Sequence, residues 1–415
     1  MKKFWLVLFP DTFLWIKNGQ GIIYNSINFR HFTFCCSDDI KKLCDTIVDL
    51  DSLYSVEITD SLLCNKQVRQ WVDAVTSMDA GVLIEQNGRN KKMVSYYPYL
   101  KIQDNKDHIL WEHNLNIGGR IIQNLDELIF YINGSANGSD QLFRQTNYPL
   151  DSTMSLKFEQ IESFVTKCRN GSISKITFVG DLLNYTDLHK LKKWIHTNDY
   201  FIHLVLLADD FQTDLTTSEW FSSERITVEI VINDYTSLDQ LEYLEDFSDK
   251  VSWKFPITSV AQFESANTGI YEKELNDYDI IPIYNGRNAT FFEAHVFMTK
   301  DEFCDLNLSR REVFINMALN INYFGKLTIM PNGIVYANVN REPLGNTDTP
   351  IYDMVFKEMT DGRSWLRIRD YEPCSNCLYQ WLCPSPGNYE LVMGTPNLCH
   401  VFSPEEKADK AVMNC

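Results

Sequence analysis

The stretch CSNCLYQWLC, residues 374–383, followed by PSPGNYELVMGTPNLC ending at Cys399, gathers four thiols at Cys374, Cys377, Cys383 and Cys399. Pro373, Pro384, Pro386, Gly387 and Pro396 surround them, so the segment reads as loop and has too little apolar material for a large core. Four thiols in such a place point to a metal centre that supplies the missing folding energy. Tetrahedral thiolate ligation suits Zn²⁺ and iron–sulfur clusters alike, and spacing does not separate them. Four protein ligands close the coordination sphere, so the expected role is structural. The remaining cysteines are scattered and read as reduced thiols, mostly small buried hydrophobes.

Working outward, GKLTIMPNGIVYANV (325–339) reads as a hairpin turning at Pro331-Asn332-Gly333. Before it, LIFYING (128–134), ISKITFVG (173–180), FIHLVLLA (201–208), ITVEIVIN (226–233), VSWKFPIT (251–258) and YDIIPIYN (278–285) alternate with helix-like segments such as FEQIESFVTKC and LHKLKKWIHTN. That rhythm implies an α/β fold whose parallel sheet curls into a partial or full (β/α)6 barrel, with its functional face where the strands end. Asp209-Asp210 stands at such an end and reads as helix capping. In the first stretch, WLVLF, FLWIK, IIYN and FTFCC read as strands, followed by a helix opened at Ser37. A helix over about 65–77 with Val68, Trp71, Val72 and Val75 at helical spacing and a strand GVLIE complete a winged-helix-like unit. The expected division is 1–90, 91–315 and 316–415, with the polar connection QNGRNKK (86–92) at the first boundary.

The chain has 415 residues and a net charge of -18, from 38 basic against 56 acidic side chains. Such a field repels nucleic acid and anionic membrane surfaces, and favours a basic or unstructured partner. The opening MKKFWLVLFPDTFLWIKN is interrupted at Pro10 and Asp11, so the expectation is a cytoplasmic protein with no membrane contact. No HExxH, phosphate loop or dinucleotide fingerprint occurs.

The hairpin of form LTIxPxGxVY, Leu344-Gly345-Asn346 and C-x2-C-x5-C-P with a final Cys resemble the SPASM domain of radical SAM peptide-modifying enzymes. In that family two auxiliary [4Fe–4S] clusters are usual. Positions matching one cluster carry no sulfur here: none of 318–323 is Cys, and the other two matching positions are Asn338 and Gly387. Positions matching the second cluster are Cys374, Cys377, Cys383 and Cys399, so the resemblance implies one [4Fe–4S] cluster, with one Zn²⁺ as the alternative. The family also carries C-x3-C-x2-C after its first barrel strand, to bind S-adenosylmethionine. Here LIFYING runs into SANGSDQLFRQ, and the loop around Ser135 and Ser139 has no cysteine. Hydroxyls are poor substitutes for thiolates on soft iron–sulfur sites, so no S-adenosylmethionine binding and no catalytic residue is expected.

The chain thus resembles pseudo-radical-SAM proteins with a C-terminal SPASM domain, of the kind found in Bacteroidales ribosomal-peptide modification systems. The resemblance implies a non-catalytic partner that binds the leader of a precursor peptide, an active radical SAM maturase, or both, in a heteromeric complex. It also implies that the N-terminal unit docks the leader by strand addition, with Ile22, Tyr24, Phe32 and Phe34 on strands and Val68 and Val72 on a helix as candidates. Alternating apolar residues of this kind mainly face inward, so each of them taken singly reads first as core. Two other classes stay open: an enzyme with chemistry in the barrel that needs no S-adenosylmethionine, and an iron- or oxygen-responsive sensor using the four cysteines.

Overall fold

The computed structural model describes residues 2–86, 92–100, 106–116, 119–210, 223–233 and 251–401, so most of the expected connection at 86–92 lies outside the described residues. The N-terminal unit contains β1 (Lys3–Leu8), β2 (Thr12–Lys17), β3 (Gln20–Asn25), β4 (His31–Cys35), α1 (Asp38–Val48), β5 (Ser55–Thr59), α2 (Asp60–Leu63), α3 (Lys66–Ser77) and β6 (Gly81–Glu85). These strands form two three-stranded antiparallel sheets, ordered β5-β1-β6 and β2-β3-β4. Strand β5 was not expected; SVEIT is short, and its buried Val56 and Ile58 are all the alternation it offers. Helices α1 and α3 turn Ile40, Leu43, Ile47, Val68, Trp71, Val72 and Val75 into one core with Leu6, Leu8, Leu14 and Ile23.

The β2-β3-β4 meander is buried on both faces. Leu14 and Ile23 are cross-strand partners and enter the helical core, whereas the next pairs, Phe13 with Tyr24 and Trp15 with Ile22, point the other way. There they meet Phe303, Val313, Cys377, Tyr379 and Leu382 of the C-terminal part. Tyr24 Oη bonds the Leu308 carbonyl and amide, each at 2.7 Å. At the β2–β3 turn, Lys17 Nζ donates to the Ser375 carbonyl at 2.9 Å. Cys35, exposed at the end of β4, is disulfide-bonded, where a reduced thiol was expected.

After α4 (Lys106–Asn114) come β7 (Glu127–Tyr131), α5 (Phe158–Lys167), β8 (Lys175–Val179), α6 (Leu188–Thr197), β9 (Phe201–Leu207), β10 (Ile226–Val231), β11 (Val251–Ile257), α7 (Val260–Glu272) and β12 (Tyr278–Pro282). Neighbouring strands from β7 to β12 are parallel and follow chain order, as repeated β/α units require. Leu128, Phe130, Ile176, Phe178, Ile202, Leu204, Val228, Ile230 and Phe255 face the helices and form the large core. Alternate residues face the other side of the sheet.

The remaining elements are α8 (Ala289–Val296), α9 (Lys300–Asp305), α10 (Arg310–Ala318), β13 (Lys326–Ile329), β14 (Ile334–Tyr336), β15 (Gly345–Asn346), α11 (Ile351–Asp361) and α12 (Asn388–Met393). The expected hairpin is β13–β14, and β13 lies parallel beside β7. The parallel sheet therefore continues past residue 316 into β13, β14 and β15, nine strands in all among the described residues, with β12 and β15 at its two edges. Among these residues no helix is long and apolar enough to cross a membrane.

Candidate functional site

The inner face of the sheet changes character along its length. Near the strand starts it is charged: Glu127 lies 3.4 Å from Lys175, 3.3 Å from Lys326 and 3.0 Å from Thr177 Oγ1. Burial would raise the Glu127 carboxyl, but Lys326 and Lys175 outweigh it and hold it below the usual range. Glu229 is placed in the same way between Lys254 and His203, and its carboxyl is likewise depressed despite burial. A cavity of about 630 Å³ opens beside Glu127, Lys175 and Lys326, walled on its far side by β12 and by Tyr323 and Tyr389. The carboxylates are thus neutralised from within the sheet.

Toward the strand ends the inner face is apolar. Ile129, Tyr131, Val179, Val205, Leu207 and Val231 meet Leu142, Phe143, Tyr148 and Leu150, which all come from the loop that follows β7. The two limbs of this loop are zipped together by Ser135 N–H to the Leu150 carbonyl and Ser139 N–H to the Pro149 carbonyl, both 3.0 Å. A side chain at Gly138 would place its Cβ 2.2 Å from the Leu150 carbonyl carbon, so that close approach requires glycine. Gln145 reaches across to the segment after β12, its Nε2 donating to the Tyr284 carbonyl and its Oε1 accepting from the Tyr284 amide, both at 2.9 Å. Asn233, just after β10, donates to Tyr148 Oη. The loop after β7 is thus a flap packed across the C-terminal ends of the parallel strands. Beneath it the Asp210 carboxyl is raised by burial, against the pull of Ser135 and Asn137.

The four cysteines come together. Cys374, Cys377, Cys383 and Cys399 line one small cavity with Arg369, Asn397 and Phe303. Arg369 Nη1 points at Cys374 Sγ from 3.9 Å, and Asn397 Nδ2 at Cys399 Sγ from 3.2 Å. Arg369 is itself buried and paired with buried Glu390 at 2.9 Å. Burial raises Cys374, Cys383 and, to about 11, Cys377, so thiolates form here only with a cation to stabilise them. Arg369 supplies part of that charge, and the N–H donors aim at sulfur as they do around ligating thiolates. Among the described residues, however, no three His, Cys, Asp or Glu side chains are arranged to hold a metal ion. A single Zn²⁺ with bonds of about 2.3 Å needs its sulfurs roughly 3.8 Å apart.

The N-terminal candidates divide. Ile22 and Tyr24 lie on the central strand of their sheet, buried against the C-terminal part, with neither backbone edge open. Phe32 and Phe34 are on β4, an edge strand, and face the opposite way. Phe34 packs on Trp71 at 5.8 Å between ring centres, and Val68 and Val72 lie buried in the same core. Asn25 N–H bonds the Arg30 carbonyl and Cys36 N–H the Gly19 carbonyl, which sets the alternation of the β3–β4 ladder. By that alternation His31, Thr33 and Cys35 turn their backbone groups away from β3, toward the open edge.

The charged interior and the packed flap were not foreseen. Glu229 in ITVEIVIN and Lys254 in VSWKFPIT, lone charges within apolar runs on adjacent strands, are the signal that could have shown the former.

No protein-family model matches the chain, and no curated protein matches it. Among solved structures it is similar to SuiB of Streptococcus suis bound to precursor peptide SuiA, at 12% identity and a TM-score of 0.46, covering 96% of this chain and 98% of that one. SuiB bound to S-adenosylmethionine gives 11% identity and 0.46, covering 94% and 97%. Hexahistidine-tagged anSMEcpe with bound AdoMet gives 11% identity and 0.42, covering 66% and 100%.

Proposed function

We propose that this chain is a non-catalytic, pseudo-radical-SAM partner that binds a ribosomally made precursor peptide, an active radical SAM maturase, or both. The observation that carries the reading is the flap: the loop after β7 has no thiolate and fills the barrel mouth with Leu142, Phe143, Tyr148 and Leu150. A side chain buried there occupies space that a reacting substrate and its cofactor would need. The reading of the barrel as an independent enzyme is weaker, because Glu127 and Glu229 are already paired with lysines.

The remaining surfaces fit a peptide-handling subunit. The open edge of β4 offers the backbone groups of Thr33 for strand addition, with Phe34 and Trp71 behind it. Cys374, Cys377, Cys383 and Cys399 would hold one [4Fe–4S] cluster, whose contribution when bound is to cross-link a loop-rich segment. Arg369 and Asn397 would orient and partly neutralise the sulfurs. The test is copurification with co-expressed neighbouring proteins, paired with an assay of anaerobically reconstituted protein for S-adenosylmethionine cleavage. A stable complex and no 5′-deoxyadenosine are expected; turnover to 5′-deoxyadenosine by this chain alone would overturn the reading.

A further inference from the structure

An open concavity of about 940 Å³ lies apart from the barrel mouth and the cysteine cavity, and four arginines line it. Arg144 comes from the flap, Arg341 from the turn after β14, and Arg363 and Arg367 from the segment after α11. In a chain of net charge -18, four guanidinium groups around one hollow are out of character. Arg144 lies over the Phe143 ring and Arg367 over the Tyr371 ring. Glu342 and Asp370 stand on the same lining, yet neither forms an ion pair with any of the four among the described residues. Arg367 donates to the Gly387 carbonyl at 3.1 Å, whereas the guanidinium groups of Arg144, Arg341 and Arg363 make no hydrogen bond among the described residues. Arg341 is pushed below its ordinary basicity by burial and by the charges of Arg367 and Arg363. Tyr371 Oη, on the same lining, is buried without a hydrogen-bond partner.

Structural reasons account for only part of this. The C-terminal end of α11, capped at Gly362, favours a nearby cation and so explains Arg363. It does not explain Arg144 and Arg341, which belong to other segments. The carbonyls at that helix end disfavour any anion, so the arginines have to outweigh them. A long polyanion would also meet the acidic remainder of the surface beyond the hollow. A short chain with a few spaced carboxylates avoids that second penalty, and guanidinium forks match its carboxylates in pairs. Val339, Pro343 and Leu366 supply apolar lining between the charges.

We propose that this concavity binds a short acidic peptide segment, its carboxylates paired with Arg144, Arg341, Arg363 and Arg367. None of the residues lining it lies on β4.

The test is fluorescence anisotropy on the full chain, with a labelled peptide of alternating glutamate and glycine and its glutamine counterpart. The glutamate peptide is expected to bind and the glutamine peptide not, with affinity falling as salt rises from about 50 mM to about 500 mM. Replacing Arg341→Ser together with Arg363→Ser, neither of them core residues, should weaken binding at least about tenfold with an unchanged circular dichroism spectrum. The pair Arg341→Lys and Arg363→Lys should recover part of that loss by charge without the fork. Equal binding of the two peptides, or unaltered affinity in the serine variant, overturns the site. Competition by inorganic pyrophosphate at concentrations equal to the peptide overturns the assignment to carboxylates.

Discussion

Replacing Tyr148 tests whether the flap is a built part of the barrel. Its ring is buried among Ile129, Tyr131, Val179, Val205, Leu207 and Val231, and its hydroxyl joins Asn233 and, at 3.3 Å, the Asn137 carbonyl. Tyr148→Phe removes only the hydroxyl and should cost about 1 kcal/mol, the ordinary net worth of the bond from Asn233, the long 3.3 Å bond to the Asn137 carbonyl adding little. Tyr148→Ala also opens a ring-sized void under a loop held by Gln145 and two backbone bonds, so relaxation is limited and the cost should be about 3–5 kcal/mol. With roughly 2–4 °C lost per kcal/mol for a domain of this size, thermal unfolding should drop by about 2–4 °C and 6–20 °C respectively. Met154→Ala, at an exposed side chain just beyond the flap, should change stability by less than about 0.5 kcal/mol and serves as control. Scanning calorimetry with near-ultraviolet circular dichroism reads all three. If Tyr148→Ala shifted no more than Tyr148→Phe, the flap would be a loose lid and the argument from a filled mouth would fall.

Acid should act through the barrel interior. Glu127 and Glu229 titrate below their ordinary value when folded, so their contribution is present above the unfolded carboxylate range near 4.3 and is lost as pH falls through the lower folded values. Glu127→Gln should flatten that loss in urea titrations below about pH 4.5 and cost about 1–3 kcal/mol at neutrality, less than a fully buried pair because both lysines are partly exposed. Cys374→Ser should lower bound metal and loosen the C-terminal segment; in the unmodified protein about four irons with absorption near roughly 400 nm indicate a cluster, one zinc indicates the alternative, and no stoichiometric metal removes both. Thr33→Pro should weaken leader binding in a folded protein, since its N–H faces the open edge, and an unaltered dissociation constant would exclude β4 as the dock. Ile22→Pro should instead cut the β2–β3 ladder and unfold the N-terminal unit, visible as lost tryptic resistance.

The parallel strands could be read directly because each is an apolar run bounded by turn residues, and doubly covered strands need little else. The cysteine cavity was legible for a different reason: proline and glycine mark the segment as loop and leave four clustered thiols to explain, although Cys377, Tyr379 and Leu382 do join a core with the β2-β3-β4 meander that no local pattern shows. Faces were harder. Ile22 and Tyr24 alternate as a half-buried strand should, and nothing local shows that the second face of β3 is covered by residues around 303–401. The flap escaped because Leu142, Phe143, Tyr148 and Leu150 have no periodicity; only their attachment to Tyr284 and Asn233 makes them a unit. The arginine hollow is dispersed from Arg144 to Arg367, so no window of sequence contains it.

The meander that packs against both ends of the molecule imposes a delay on synthesis. Lys17 contacts Ser375, 358 positions later, and Phe13, Ile22 and Tyr24 stay uncovered until that segment has left the ribosome. At about 5–20 residues per second the wait is on the order of 20–70 s. Throughout it, a nascent chain with a finished helical core displays a bare aromatic sheet face. Production of this protein is therefore expected to respond to translation rate and to chaperone supply, and an isolated N-terminal fragment is expected to expose the same face permanently.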